Sequence, residues 1–352
     1  MQHIPGDDPR LGFCGAIDVT FAHGVATPLR VPAVDATLFP GVIDRATHPA
    51  GVRVTFASDT SRLVVHAVNR PADGSPLDLV VNDGETRRSH GERTDPEATA
   101  DASADASGTY RFAFEGLPGG RKELELWLPQ FGTFGLAGIE IDAGATLETW
   151  RPAGRSGGKS GGRRWVTYGS SITQCRQADG PTQTWPALVA RSLQLDLVCL
   201  GYGGQCHLDP MVARLIRDTP ADLISICCGI NIHGASSLGP RTFLPAVLGT
   251  VRTIRDKHPT TPLLLISPIF GVQREVEANA VGFKLPAMRA EVARAVDLLR
   301  DHGDAHLTYL DGLSLLGEAD SHLLPDTLHP NTEGYALMAK RLTPVLAKLL
   351  GE

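Results

Sequence analysis

Ser171 sits in the segment Gly169-Ser170-Ser171-Ile172-Thr173, and near the other end of the chain Asp326 and His329 stand three residues apart in Asp326-Thr327-Leu328-His329-Pro330. A serine hydroxyl is a poor nucleophile until a base takes its proton. Histidine suits that task near neutral pH, and a carboxylate three residues away can hold the ring in one tautomer. Two further segments carry donors: Gly201-Tyr202-Gly203-Gly204-Gln205 offers backbone N–H groups and Gly229-Ile230-Asn231 a side-chain amide. Attack on an ester carbonyl builds charge on its oxygen, and each donor aimed there is worth about 3 kcal/mol in the transition state. The N–H groups of Ser171 and Gly204 and the amide of Asn231 can supply three, with glycine at 204 letting the backbone approach closely. Together these residue types point to acyl chemistry through a serine ester.

They can act together only if secondary structure gathers them. From residue 165 onward apolar runs alternate with helical patterns, and strands are expected at 165–168, 195–200, 223–228, 263–267 and 307–310. Between them Trp185, Leu188, Val189 and Ser192 share a helical face. Phe243, Leu244, Val247, Leu248, Val251 and Ile254 form a clearer stripe, and 287–300 and 333–350 complete the set. This alternation predicts a parallel sheet covered on both faces, and five strands predict a flavodoxin-like, doubly wound α/β arrangement. Ligands bind such sheets at the carboxyl ends of the strands. Each of the four segments follows a strand, the last after a loop, so all four are expected at one crevice.

The first half reads differently. Val52–Phe56, Arg62–Val68, Leu77–Val81, Tyr110–Phe114, Lys122–Leu128 and Gly138–Asp142 alternate with period two, separated by turn residues at 69–76, 82–84 and 118–120. Such alternation predicts one buried and one wet face per strand, and many short strands without helices predict an all-β, jelly-roll-like sandwich. The expected organisation is a sandwich over 1–150, a Gly/Ser-rich linker over 151–164 and a catalytic domain over 165–352, with a polar, low-complexity exposed loop at 93–108.

The order of blocks in 165–350 resembles the SGNH, or GDSL-type, hydrolase family, which carries a G-D-S-[LI]-T-like block, a Gly-containing second block, G-x-N and D-x-x-H. The resemblance implies that Ser171 is the nucleophile, that Asp326 and His329 complete a triad, and that Gly204 and Asn231 help form the oxyanion hole. Ser170 stands where the family usually has Asp, which alters local hydrogen bonding more than catalysis. The first half is similar to accessory domains fused to some SGNH esterases, several of which act on acetylated sugars. The main expectation is therefore an esterase acting on a small-molecule ester or acylated carbohydrate, without cofactor or metal. The alternative is an acyltransferase using the same acyl-enzyme, as some SGNH members do in natural-product pathways. Outside enzymology the chain reads as a carbohydrate-binding protein with an inactive hydrolase domain.

Other features narrow the choice. Two G-x-S-x-G matches, at 154–158 and 158–162, lack the strand before and helix after that a nucleophile elbow needs, and Ala153 breaks the P-loop pattern there. A net charge of −6 and no basic run beyond Arg163-Arg164 argue against nucleic acid. Cys14, Cys175, Cys199, Cys206, Cys227 and Cys228 form no CxxC pair and read as buried thiols. The start MQHIPGDDPRLGF lacks a signal-peptide pattern, and no run of about 18 apolar residues occurs, so no membrane partner and a cytoplasmic location are expected. His207 and His233 flank the site in sequence. Phe131, Phe134 and Trp127 are candidates for a wall contributed by the sandwich, and the apolar loop 268–284 for a substrate pocket.

Overall fold

The computed structural model describes residues 1–68, 74–94, 108–152 and 162–352. Most of the expected loop at 93–108, most of the expected linker and both G-x-S-x-G matches except Gly162 lie outside the described residues.

Among the described residues the first half forms two antiparallel sheets. One runs β3 (Asp18–Ala22), β4 (Val25–Leu29), β12 (Gly135–Ile141), β6 (Leu63–Val68), β10 (Thr109–Phe114), β9 (Glu92–Arg93), with β1 (Gln2–Pro5) also paired to β12. The other runs β13 (Leu147–Glu148), β5 (Arg53–Ser58), β11 (Lys122–Trp127), β7 (Leu77–Val81), β8 (Glu85–Ser89), with β2 (Gly12–Cys14) on β5. Alternate residues make the sandwich core: Val54, Phe56, Leu79, Val81, Leu124 and Leu126 from one sheet pack with Leu63, Val65, Phe112, Ile139 and Ile141 from the other. Each such side chain contributes roughly 1.5–3 kcal/mol by leaving water.

The alternation is present, but the second face of β5 and β7 is not wet. Arg53, Thr55, Asp78 and Val80 are buried as well, because that face packs on the second half of the chain. Val80 and Trp127 belong to the core of the α/β half, not to that of the sandwich.

In the second half β14 (Arg164–Gly169), β15 (Asp196–Gly201), β16 (Leu223–Cys227), β17 (Leu263–Ile266) and β18 (Leu307–Leu310) form a parallel sheet in the order β15-β14-β16-β17-β18. This is the flavodoxin-type order, and its topological switch lies between β14 and β16. The helices α3 (Trp185–Ser192) and α8 (Thr332–Leu349) pack together, as do α4 (Pro210–Asp218) with α6 (Phe243–Arg255) and α6 with α7 (Leu285–Asp301). Helix α7 illustrates the pattern: Leu285, Met288, Val292, Ala295, Val296 and Leu299 recur at helical spacing and are all buried. Three short helices, α1 (Ile43–Ala46), α2 (Ser171–Gln174) and α5 (Ile230–Ala235), lie in loops. Among the described residues no helix is long and apolar enough to cross a membrane.

Buried charges join the halves. The Arg53 guanidinium donates to Asp196 Oδ1 and to the Leu197 carbonyl, each at 2.9 Å. Arg30 Nη1 donates to the carbonyls of Cys199 (3.0 Å) and Gly201 (2.6 Å), its guanidinium lies 4.9 Å from the centre of the Tyr202 ring, and Tyr202 Oη donates back to the Arg30 carbonyl at 2.6 Å. Asp78 Oδ2 accepts from the Thr182 hydroxyl at 2.6 Å. A buried ion is tolerated only with its partners in place, so these contacts fix the first half along the length of β15, from Asp196 to Gly201, and against Thr182.

Candidate active site

Strand β14 ends at Gly169, and Ser170 caps α2. Its Oγ accepts the Ile172 N–H at 3.2 Å, and its carbonyl accepts those of Thr173 and Gln174 at 3.0 Å. Serine is among the favoured cap residues, so the residue that replaces the family's Asp still anchors this turn. Ser171 is the first residue of α2, where backbone N–H groups have no intrahelical partner. Gly201 lets α2 lie against the end of β15: a Cβ there would stand 2.4 Å from the Gln174 nitrogen.

Across the cleft, His329 Nε2 is 2.8 Å from Ser171 Oγ and His329 Nδ1 is 2.7 Å from Asp326 Oδ2. A ring nitrogen facing a carboxylate carries the hydrogen, which leaves Nε2 to accept from the hydroxyl. Asp326 is itself held: Oδ1 accepts the N–H groups of Leu328 (3.0 Å) and His329 (2.6 Å), and Oδ2 accepts from Gln177 Nε2 (3.1 Å). Thr327 between them sits at φ 65°, a conformation that β-branched residues rarely adopt and that clusters at functional sites. Partial burial pushes the Asp326 carboxyl up, but hydrogen bonds from the His329 N–H and ring and from the Leu328 N–H outweigh it and hold the group below its ordinary range. The carboxylate is therefore ionised at neutral pH. In such a chain the ring can take the hydroxyl proton during attack while the carboxylate stabilises the resulting cation.

Facing the hydroxyl is the turn Tyr202–Gln205, closed by the Gln205 N–H on the Tyr202 carbonyl at 3.0 Å. Gly204 has φ 76°, while a Cβ there would meet nothing within 4 Å. The left-handed backbone of the turn is one reason for glycine there, beside the close approach expected from sequence. The Gly203 N–H is used by Gln174 Oε1 at 2.8 Å, and the Gly204 carbonyl accepts from His207 Nε2 at 3.0 Å. Asn231, the second residue of α5 after β16, accepts the Cys206 N–H on Oδ1 at 3.0 Å. Its NH₂ is left to face the cavity.

Ser171, Gly204, Asn231, Asp326 and His329 line one cavity of about 570 Å³, together with Arg45, Phe131, Gln174, Arg176, Gln177, Gly203 and Leu328. Of the three aromatic residues considered for a sandwich wall, Phe131 lines it. Phe134 lies in the sandwich core, and Trp127 is buried beneath Arg53. The loop 268–284 contributes nothing to this lining. Its Ile269 and Phe283 are buried, and Phe283 packs edge-on to Phe243 at 5.5 Å. His207 supports the Gly204 turn and His233 lies outside the lining. Cys175 and Cys206 are fully buried, and burial pushes both thiols well up. Among the described residues no group of His, Cys, Asp and Glu could hold a metal ion.

Sequence reasoning missed Gln174. Its buried amide accepts from the Gly203 N–H and donates to the Gln130 carbonyl and to His48 Nδ1, both at 3.0 Å. One side chain therefore ties the donor turn to α2 and to two points of the sandwich. Its place three residues after Ser171 in α2 was the available signal. Nothing local marked Arg45 or His48, which reach the site from more than a hundred residues upstream.

Residues 162–347 match the family described as GDSL-like lipase/acylhydrolase, and residues 11–137 match the SsfX3 N-terminal domain. No curated protein matches the chain. Among solved structures it is similar to a salicylyl-acyltransferase, SsfX3, from a tetracycline biosynthetic pathway. The two are 32% identical over 99% of this chain and 97% of that one, with a TM-score of 0.83. A GDSL-like lipase from Bacteroides ovatus is 21% identical over 99% and 98% of the two chains, with a TM-score of 0.77. A family two carbohydrate esterase from Cellvibrio japonicus is 16% identical over 99% and 98%, with a TM-score of 0.63. The last two likenesses speak for the fold. With half of its length matching the family and a full-length likeness above 30% identity, the chain belongs to the GDSL-like lipase/acylhydrolase family of enzymes.

Proposed function

We propose that the enzyme transfers an acyl group to the hydroxyl of a small molecule through an ester on Ser171. His329 acts as the base that activates Ser171, and Asp326 orients His329. The N–H groups of Ser171 and Gly204 and the Asn231 amide bind the oxyanion. The observation that carries transfer, as distinct from acyl chemistry in general, is the full-length likeness to a salicylyl-acyltransferase. That likeness includes the first half of the chain, which supplies Arg45 and Phe131 to the cavity. The Ser171–His329–Asp326 hydrogen bonds support the roles of those three residues.

One observation favours a second reading, hydrolysis. The Asp326 side chain is 43% and the His329 side chain 25% exposed, so water reaches the base unless a bound acceptor displaces it. Partition separates the two. With an aryl ester donor and an excess of small alcohols, the transfer reading expects acylated alcohol to form faster than free acid. Free acid alone, across a range of acceptors, would leave hydrolysis as the function. In either case a fluorophosphonate should label the wild type and not Ser171→Ala, and equal labelling of both would remove Ser171 from the account.

A further inference from the structure

The turn Tyr202–Gln205 leaves one backbone donor open and engages its neighbours. Tyr202 donates to the Gly169 carbonyl at 2.8 Å, Gly203 to Gln174 Oε1 at 2.8 Å and Gln205 to the Tyr202 carbonyl at 3.0 Å. The Gly204 N–H has no acceptor among the described residues, and Gly204 lines the cavity. The carbonyls on either side of that N–H are both taken. Arg45 Nε donates to the Gly203 carbonyl at 3.2 Å, and His207 Nε2 donates to the Gly204 carbonyl at 3.0 Å.

The Gly203 carbonyl and the Gly204 N–H belong to one peptide group. In a trans peptide the two point opposite ways, and the described residues contain no cis peptide bond. Whatever holds the carbonyl therefore sets the direction of the N–H. A charged donor on the carbonyl oxygen also draws electrons from the amide, and hydrogen bonds in such a chain strengthen one another by about 10–30% per bond. Arg45 is itself fixed. Its carbonyl accepts from Nη2 of the buried Arg30, whose Nη1 donates to the Gly201 carbonyl at 2.6 Å. Helix α1 and the end of β15, just before the turn, thus share one anchor. The Arg45 Nη1 pairs with Asp44 at 3.0 Å, and the guanidinium lies 5.8 Å from the centre of the Phe131 ring.

We infer that Arg45 is a positioning residue for the reaction: through the Gly203 carbonyl it aims and polarises the Gly204 N–H that receives the oxyanion. The first half of the chain then takes part in the chemistry and does more than wall the cavity, because Arg45 comes from α1. The inference rests on Ser171 as the acylated residue and on the oxyanion role proposed for Gly204. Its test compares acylation by 4-nitrophenyl butyrate with acylation by the thiono analogue, in which sulfur replaces the carbonyl oxygen. The nitrophenol burst reports both. Sulfur is a weak hydrogen-bond acceptor, so the thiono ester gains little from an aimed N–H.

Arg45→Met should slow the burst with the oxygen ester about tenfold, less than deletion of a donor, with half-saturation at nearly the same ester concentration. The thiono ester should slow about twofold or less, so the oxygen-to-sulfur ratio falls about fivefold or more. The same fall is expected in Arg45→Gln, which keeps a polar group if Arg45→Met folds poorly, and Arg45→Lys should restore part of the ratio. Both esters meet the same sample, so inactive protein lowers the two rates alike and leaves the ratio unchanged. An unchanged ratio in Arg45→Met and Arg45→Gln, or a raised half-saturating concentration with the burst rate kept, would overturn the inference. Asn231→Ala keeps the reading beneath it separate: an unchanged ratio there too would overturn the oxyanion hole itself, and a missing burst in the wild type would overturn the acyl-enzyme.

Discussion

Asp326 spends its acceptor capacity on one task. Both oxygens are engaged by His329, Leu328 or Gln177, and these bonds keep the carboxyl ionised against the pull of partial burial. Asp326→Asn keeps the shape but presents an amide to Nδ1 and invites the wrong tautomer. Acylation measured by nitrophenol burst should fall about a thousandfold or more, with KM little changed. In its proposed oxyanion role Asn231 would donate to charge that develops only during reaction, so kcat of Asn231→Ala should fall about a hundred- to a thousandfold in the same assay. These residues were legible because each follows a strand at the carboxyl edge of a parallel sheet, where chain order alone implies convergence. The left-handed backbone at 204 was not legible, since a φ of 76° belongs to the turn Tyr202–Gln205 and not to any property of the residue in isolation.

At the scale of elements, the donor turn is held from behind. Gln174 grips the Gly203 N–H from α2 while donating to Gln130 and His48 of the sandwich. Gln174→Leu leaves these groups unpaired at about 1–3 kcal/mol for each buried one. The expected kinetic signature is a kcat lowered about tenfold or more with KM nearly kept, measured at a temperature where circular dichroism reports a folded protein. A raised KM with kcat unchanged would assign Gln174 to substrate binding instead. His48 adds a pH dependence whose sign is fixed. Its ordinary value is near 6.5 and its folded value about 3, so between those limits the unfolded chain binds a proton that the folded chain does not. Stability should fall as pH drops through that window, by up to about 1.4 kcal/mol per unit from this group. Urea titrations at pH 7, 6 and 5 should show a shallower loss in His48→Gln, whose amide can still accept from Gln174. The strands and long helices were readable from periodicity. The short elements α1, α2 and α5 were not, because four to six residues hold no period; α2 starts at its Ser170 cap and α5 after Gly229.

At the scale of the molecule, the two halves keep separate cores, but the first half completes the core of the second and both line one site. Alternation in β5 and β7 correctly assigned the inner face of the sandwich, but it could not tell a wet outer face from one that meets another layer. The polar residues there, Arg53 and Asp78, are buried in partnership with Asp196 and Thr182. Arg53→Met should cost about 3 kcal/mol, the low end for breaking a buried pair, because Asp196 keeps Arg164 at 2.8 Å. That loss should appear as a melting temperature lowered by several degrees in a thermal scan. A fragment starting at residue 162 should aggregate, since it would expose the apolar surface now covered by Val31, Phe39, Val42, Val80 and Trp127. Its solubility on expression is the check. The same interface explains why Arg45 and Phe131 escaped or only grazed sequence reasoning: their place in the cavity is set by how the layers dock.

Trapping the acyl group on Ser171 tests the proposed chemistry most directly. The enzyme is mixed with an activated aryl ester, quenched within the burst and digested, and the peptides are weighed. The predicted result is a mass increase equal to the acyl group on the peptide containing Ser171, absent in Ser171→Ala and strongly reduced in His329→Ala. An acyl mass on another residue, or product formed at the wild-type rate by Ser171→Ala, would contradict it.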